Sequence, residues 1–349
     1  TERLNLTGVP IDDKITDRYY QKEAIRAVCG QMEQGFRKHL LVMATGTGKT
    51  RTAASLTDVL SRGKWVTNIL FLADRTALVK QAKDDFKNYL PDMSLCNLCF
   101  NKDDRNTRIV FSTYPTILNA IDDTKSKDGR QLFTPVHFDL IIIDESHRSI
   151  FKKYRAIFEY FDAVMVGLTA TPKTDVDRNT YDFFEMENGV PTYAYDYETA
   201  RDQDHVLVPY YNYEVKTEFQ EKGITYDKLS DEDKERYEED FIEDGMMPEF
   251  IPSTDLNKFV FNETTVDIVL QDLMERGIKV AGGDRLGKTI IFAQNKRHAE
   301  FILERFNKLY PQYHGTFAQR VICDDAYAQT VIDDFKQAEK EPHIARSEE

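Results

Sequence analysis

Residues 38–50 read Lys-His-Leu-Leu-Val-Met-Ala-Thr-Gly-Thr-Gly-Lys-Thr. A short apolar run ending in glycines predicts a buried strand over Lys38–Ala44, a tight turn through Gly46 and Gly48, and a helix from about Lys49 to Leu60. Glycines let the backbone approach phosphate oxygens. The loop N–H groups and the helix N-terminus then present positive potential. Thr45, Gly46, Thr47, Gly48, Lys49 and Thr50 are therefore candidate nucleotide ligands. Lys49 would reach the β- and γ-phosphates and Thr50 would ligate Mg²⁺. Such loops carry a glycine at the position of Met43, so a plain strand–turn–helix with Met43 in the core is the structural alternative.

The chain around this loop repeats the same rhythm. Asp17 can cap a helix whose stripe is Tyr20, Ala24, Ile25, Val28 and Met32. Asn68–Ala73, Arg108–Ser112, Asp139–Ile143 and Ala163–Gly167 are further buried-strand candidates, with helices between them at 75–89, 115–122 and 152–160. Alternating helices and near-continuous apolar strands predict a parallel sheet covered on both faces. Residues 176–255 break the rhythm with a tyrosine-rich stretch (Tyr193, Tyr195, Tyr197, Tyr210, Tyr211, Tyr213) and an acidic helix at Asp231–Phe241 capped by Ser230. Gly245–Pro252 reads as a loop. Alternation returns with a helix at Glu263–Arg276 capped by Asn262, a strand at Thr289–Ala293, a helix at Lys296–Leu309, a strand at Arg320–Cys323 and a helix at Tyr327–Ala338. Residues 342–345 look like the opening of one more strand. The expected division is 1–175, 176–255 and 256–349.

About a hundred residues after the glycine loop, Leu140–Ile143 leads into Asp144-Glu145-Ser146-His147. A carboxylate at the end of a parallel strand lies where open α/β folds bind ligands. Asp144 can hold Mg²⁺ opposite Thr50, and Glu145 can orient and polarise an attacking water. Either could instead be an ordinary turn residue.

Composition sets the outer limits. The chain has 349 residues, 41% hydrophobic, enough for two or three domains. No apolar run approaches the roughly 18 residues of a membrane span, and the start lacks a signal-peptide pattern. Four cysteines do not make a disulfide framework, which fits a reducing cytoplasm. Cys96 and Cys99 form a C-x-x-C that could be half a zinc site, a redox pair or two thiols in an irregular segment; no second C-x-x-C or His pair completes four ligands. The net charge of −14 argues against nucleic acid, but Glu218–Asp244 carries −8 of it, with twelve acids against four bases. A protein that grips a nucleic-acid backbone needs only a local basic groove.

The order of the glycine loop, Asp144-Glu145-Ser146-His147 and Leu168-Thr169-Ala170-Thr171-Pro172 resembles the superfamily 2 helicases and translocases. Arg18-Tyr19-Tyr20-Gln21 lies where these motors place a glutamine that reads adenine. Leu72–Gln81 resembles motif Ia, Phe111-Ser112-Thr113-Tyr114 the next strand-end motif, and Thr289–Ala293 motif IV. The string Asp144–Ile150 with Ala73-Asp74-Arg75 is most similar to the motor (R) subunit of type I restriction enzymes. The resemblance implies two RecA-like P-loop domains, the second incomplete, and ATP- and Mg²⁺-dependent translocation on double-stranded DNA. It implies Arg18 and Gln21 at the adenine, coupling through His147, Thr169 and Thr171, and DNA-backbone contacts from Arg75, Ser112 and Thr113. The implied partners are modification and specificity subunits, with no membrane, in the cytoplasm. The R subunits' nuclease domain and arginine-finger motif have no counterpart in these residues, so a motor fragment is expected. Another superfamily 2 DNA helicase of repair type, or a nucleotide-binding module that docks subunits with negligible turnover, are the alternatives.

Overall fold

The computed structural model describes residues 2–100, 106–122, 131–145, 153–171, 175–176, 178–213, 224–229, 231, 234, 238, 250–251, 263–321 and 327–347. The chain divides into two compact units, Thr1–Tyr210 and Tyr211–Glu349.

The first unit alternates helices and strands: α1 (Tyr19–Glu33), β1 (Lys38–Met43), α2 (Lys49–Arg62), β2 (Ile69–Ala73), α3 (Thr76–Tyr89), β3 (Leu95–Asn97), β4 (Ile109–Thr113), α4 (Tyr114–Ala120), β5 (Leu140–Ile143), α5 (Arg155–Tyr160), β6 (Val164–Thr169), α6 (Arg178–Phe183) and β7 (Tyr193–Tyr195). The seven strands form one parallel sheet in the order β3-β4-β2-β5-β6-β1-β7. Period-2 alternation sends Leu41 and Met43 to one face and Leu40 and Val42 to the other. The first face packs on α1, α2 and α3 through Ile25, Val28, Leu56, Val59, Val79 and Phe86. The second packs on α4, α5 and α6 through Tyr114, Ile117, Ile157 and Tyr181. Burial on both faces explains why these strands are continuous apolar runs.

Three local expectations change. Arg18, not Asp17, is the N-cap of α1; its backbone is extended and no side chain caps the helix. Cys96 is not in an irregular segment but in β3, where it is buried. Among the described residues, no cluster of His, Cys, Asp and Glu could hold a metal by itself. Finally, the tyrosine-rich stretch opens by adding β7 to the sheet, with Leu41 opposite Tyr193 and Met43 opposite Tyr195. The first unit therefore runs past 175 to Tyr210.

In the second unit, β8 (Ile224–Thr225) and β9 (Phe250–Ile251) pair antiparallel. The strand β9 falls where a loop was expected, while most of the acidic helix, and the caps Ser230 and Asn262, lie outside the described residues. After α7 (Glu263–Arg276), β10 (Lys279–Val280) and β11 (Arg285–Leu286) form a small hairpin, which Gly282 and Gly283 turn with positive φ. Then come β12 (Thr289–Phe292), α8 (Lys296–Leu309), β13 (Ala318–Val321), α9 (Ala328–Phe335) and β14 (Ile344–Ser347). The opening strand expected at 342–345 is thus β14, and it lies central in a parallel sheet ordered β12-β14-β13. Val266, Leu270, Phe301, Phe306 and Ile344 form the core. The fold is α/β, with a seven-stranded parallel sheet and a smaller parallel one. No described helix is long and apolar enough to cross a membrane.

Candidate functional site

All seven strands of the large sheet point the same way, so the loops after β1, β6 and β5 emerge at one edge, side by side. They carry the glycine loop, Thr169–Thr171 and Asp144-Glu145. Val42 pairs with Thr169, and Ile143 pairs with Gly167. The sheet order alone therefore brings together segments a hundred residues apart.

Gly48 is the N-cap of α2 with φ 89° and ψ 42°, and Gly46 has φ 85°, conformations that L-residues rarely adopt. A Cβ on Gly48 would stand 2.4 Å from Gln21 Nε2, and one on Gly46 3.1 Å from Leu207 Cδ2. The loop is thus walled by α1 and by the segment after β7. Thr45 and Gly46 are exposed, and Thr47 is buried. Thr47 Oγ1 donates to the Ala44 carbonyl at 2.6 Å. The Thr47 carbonyl accepts from Gln21 Nε2 at 2.8 Å and from the Tyr20 hydroxyl at 3.0 Å.

Across the gap, Lys49 Nζ lies 3.7 Å from Glu145 Oε1. Asp144 is anchored through its backbone: its N–H donates to the Leu72 carbonyl, and its carbonyl accepts from the buried Tyr114 hydroxyl. Burial first, then the adjacent Glu145 charge, push the Asp144 carboxyl up to about 6, and Lys49 opposes the shift. A half-buried carboxylate with a second carboxylate beside it suits a cation. Two carboxylates and the Thr50 hydroxyl are hard oxygen donors of the kind Mg²⁺ takes, with waters and phosphates completing its shell. Glu145 has a left-handed backbone at φ 51°, a costly conformation for a non-glycine residue.

The remaining candidates fall into two groups. Gln21 is buried beside the loop, and its Oε1 accepts from Thr16 Oγ1, so both ends of its amide are engaged. Arg18 is exposed, and its Nη1 donates to the Tyr20 hydroxyl at 2.7 Å, a bond that raises its pKa. Thr169 is buried and its hydroxyl accepts from the Thr171 N–H at 3.1 Å, which shapes the turn after β6. His147 lies outside the described residues. Further along the same edge, Arg75 is exposed at the start of α3. Ser112 is fully buried with its hydroxyl on the Thr113 carbonyl, and Thr113 is also buried, facing Thr116.

Sequence reading missed the second wall. The Tyr20 and Tyr195 rings stack, with centroids 3.9 Å apart and planes at 6°. The Tyr195 hydroxyl donates to Asp204 at 2.6 Å, and the Tyr19 hydroxyl donates to the same carboxylate. Tyr193 donates to Glu23 at 2.9 Å. The signal was a polar hydroxyl on the apolar stripe of α1, together with a Tyr-x-Tyr alternation at 193–195.

Comparison with known proteins places this geometry. The ResIII family, "Type III restriction enzyme, res subunit", matches residues 14–174. Over 343 residues the chain is 31% identical to the endonuclease subunit of the type I restriction enzyme EcoAI of Escherichia coli, covering 95% of this chain and 40% of that one. The chain thus spans less than half the length of this curated relative. In fold it is similar to a fragment assigned to the HsdR subunit of a type I restriction enzyme from Vibrio vulnificus YJ016, with TM-score 0.65, 22% identity, and coverage of 99% of this chain and 56% of that one. The helicase domain of Hef from Pyrococcus furiosus also shares the fold, with TM-score 0.50, 15% identity, and coverage of 97% of this chain and 87% of that one. This chain is a homologue of the R subunits of type I restriction enzymes and carries a ResIII helicase-like domain.

Proposed function

We propose that the chain is the ATP-driven motor part of a type I restriction R subunit, working on double-stranded DNA in the cytoplasm with modification and specificity subunits. The observation that carries this reading is Lys49 Nζ 3.7 Å from Glu145 Oε1, a loop lysine facing a carboxylate across the strand edge. Thr45 to Thr50 would cradle the phosphates, and Arg18 and Gln21 would lie toward the base. Thr50 and Asp144 would hold Mg²⁺, which when bound neutralises phosphate charge. Glu145 orients the attacking water and takes its proton. Lys49 offsets charge on the transferred phosphoryl group. Thr169, at the end of the strand next to β1, Thr171, in the turn after it, and His147 would report the state of the site to the second unit. Arg75 supports a backbone contact to DNA best, because it is exposed. Ser112 and Thr113 would need to be uncovered to join it.

The test is ATP hydrolysis by the chain with and without duplex DNA. DNA is expected to stimulate turnover, and Lys49→Ala or Glu145→Gln to lower it by roughly 10²–10⁴-fold. Trace turnover that ignores DNA, with ATP binding intact, would instead favour a subunit-docking module.

A further inference from the structure

The ring of Tyr20 belongs to the α1 core, but its hydroxyl does not. That hydroxyl donates to the Thr47 carbonyl at 3.0 Å, next to Gln21 Nε2, and it accepts from Arg18 Nη1. The Thr47 carbonyl and the Gly48 N–H belong to one trans peptide, so they point in opposite directions. Holding the carbonyl toward α1 therefore fixes the Gly48 N–H on the side away from α1. Gly48 has a left-handed backbone and could otherwise rotate with little penalty. The Arg18 guanidinium polarises the Tyr20 hydroxyl and strengthens its donation. The ring cannot swing away, because Tyr195 stacks on it and is itself tied by its hydroxyl to Asp204.

The geometry points to Tyr20 as a positioning residue of the phosphate cradle. Its hydroxyl orients the Thr47–Gly48 peptide, and Tyr195, on the strand beside β1, locks its ring. This deepens the nucleotide reading and rests on it. It assigns Tyr20 to the phosphates and not to the base, so its effect must be blind to the base.

Tyr20→Phe keeps the ring and the stack and removes only the donor. Affinities of the full chain for ATP, GTP and inorganic tripolyphosphate are measured with the unfolding midpoint. All three are expected to weaken together by roughly 3- to 10-fold. The ATP-to-GTP preference stays unchanged, and KM rises more than kcat falls. Tyr195→Leu, which removes the stack and leaves the Tyr20 hydroxyl, is expected to weaken all three in the same direction. Unchanged affinities in both variants would overturn the assignment. So would a loss for ATP with none for tripolyphosphate, which would make Tyr20 a base contact. Lys49→Ala separates the two levels. If it binds tripolyphosphate as tightly as wild type, the nucleotide reading itself fails. If it loses binding while Tyr20→Phe does not, only the positioning role fails.

Discussion

A methyl group on Gly48 would stand 2.4 Å from Gln21 Nε2, on a backbone with φ 89°. It would force a left-handed alanine and push Gln21 off the Thr47 carbonyl. Gly48→Ala is expected to destabilise the protein by roughly 2 kcal/mol and to abolish measurable ATP binding. Gly30 is the opposite case. It lies inside α1 with nothing within 4 Å of an added Cβ, so Gly30→Ala is expected to add about 0.5–1 kcal/mol. Urea unfolding of wild type and both variants checks the pair; two shifts of the same sign would refute the backbone argument. At this scale, the sequence shows a residue where chemistry demands its type. Gly46, Gly48, Lys49, Asp144 and Glu145 stood out as candidates because the phosphate and cation binding proposed for them leaves few substitutes, and the fold brings Lys49 and Glu145 face to face. The left-handed turn at Glu145 and the burial of Ser112 were not, since both follow from how the strand edge is covered.

Helices α7 and α8 of the second unit are joined by Arg305, which is buried and donates to both Asp267 and Glu263. One guanidinium fork across two carboxylates fixes the rotation of α8 on α7. Removing Arg305 takes away the guanidinium that bridges the partly buried Asp267 and Glu263 carboxylates. Arg305→Ala is therefore expected to cost about 3 kcal/mol and to lower the unfolding midpoint while leaving ATP affinity unchanged. A shift under 0.5 kcal/mol would show that the apolar seam of Leu270, Ile302 and Phe306 holds the pair unaided. Elements of this length were legible from their periodicity, as were β1, β2, β4, β5 and β6, each an apolar run between breakers. The strands β3 and β7 were not. Each has three residues at a sheet edge, with one neighbouring strand. Polar side chains find partners there, so neither strand reads as an apolar run: the buried Asn97 amide oxygen accepts from the Cys99 N–H, and the Tyr193 hydroxyl donates to Glu23. The start of α1 was misplaced by one residue because Asp17 has a capping side chain, and the backbone turns helical only after Arg18.

For the molecule as a whole, the large sheet is an apolar slab with a histidine sealed inside it. His39 on β1 is fully buried, with Nδ1 3.0 Å from Gln31 Oε1 and no partner for Nε2 among the described residues. Burial pushes its pKa down from 6.5 to about 4, against a smaller upward pull from the Phe36 backbone. The folded ring is therefore neutral at pH 5, while an unfolded histidine takes up a proton below about 6.5. A depressed folded pKa means the unfolded state binds more protons throughout that window. The contribution of His39 to stability is thus complete above pH 6.5 and is lost as pH falls to about 4, to the extent of about 3 kcal/mol. Many carboxylates titrate near the lower end of this range, so the absolute curve is not diagnostic. Comparing wild type with His39→Gln isolates the ring, because every other titration is shared. Between pH 7 and pH 4, wild type is expected to lose about 3 kcal/mol more than the variant in urea unfolding, most of it between pH 6 and pH 4.5. Parallel curves would mean that water reaches β1 in the folded state, and the two-faced burial that orders this sheet would have to be looser than its packing indicates.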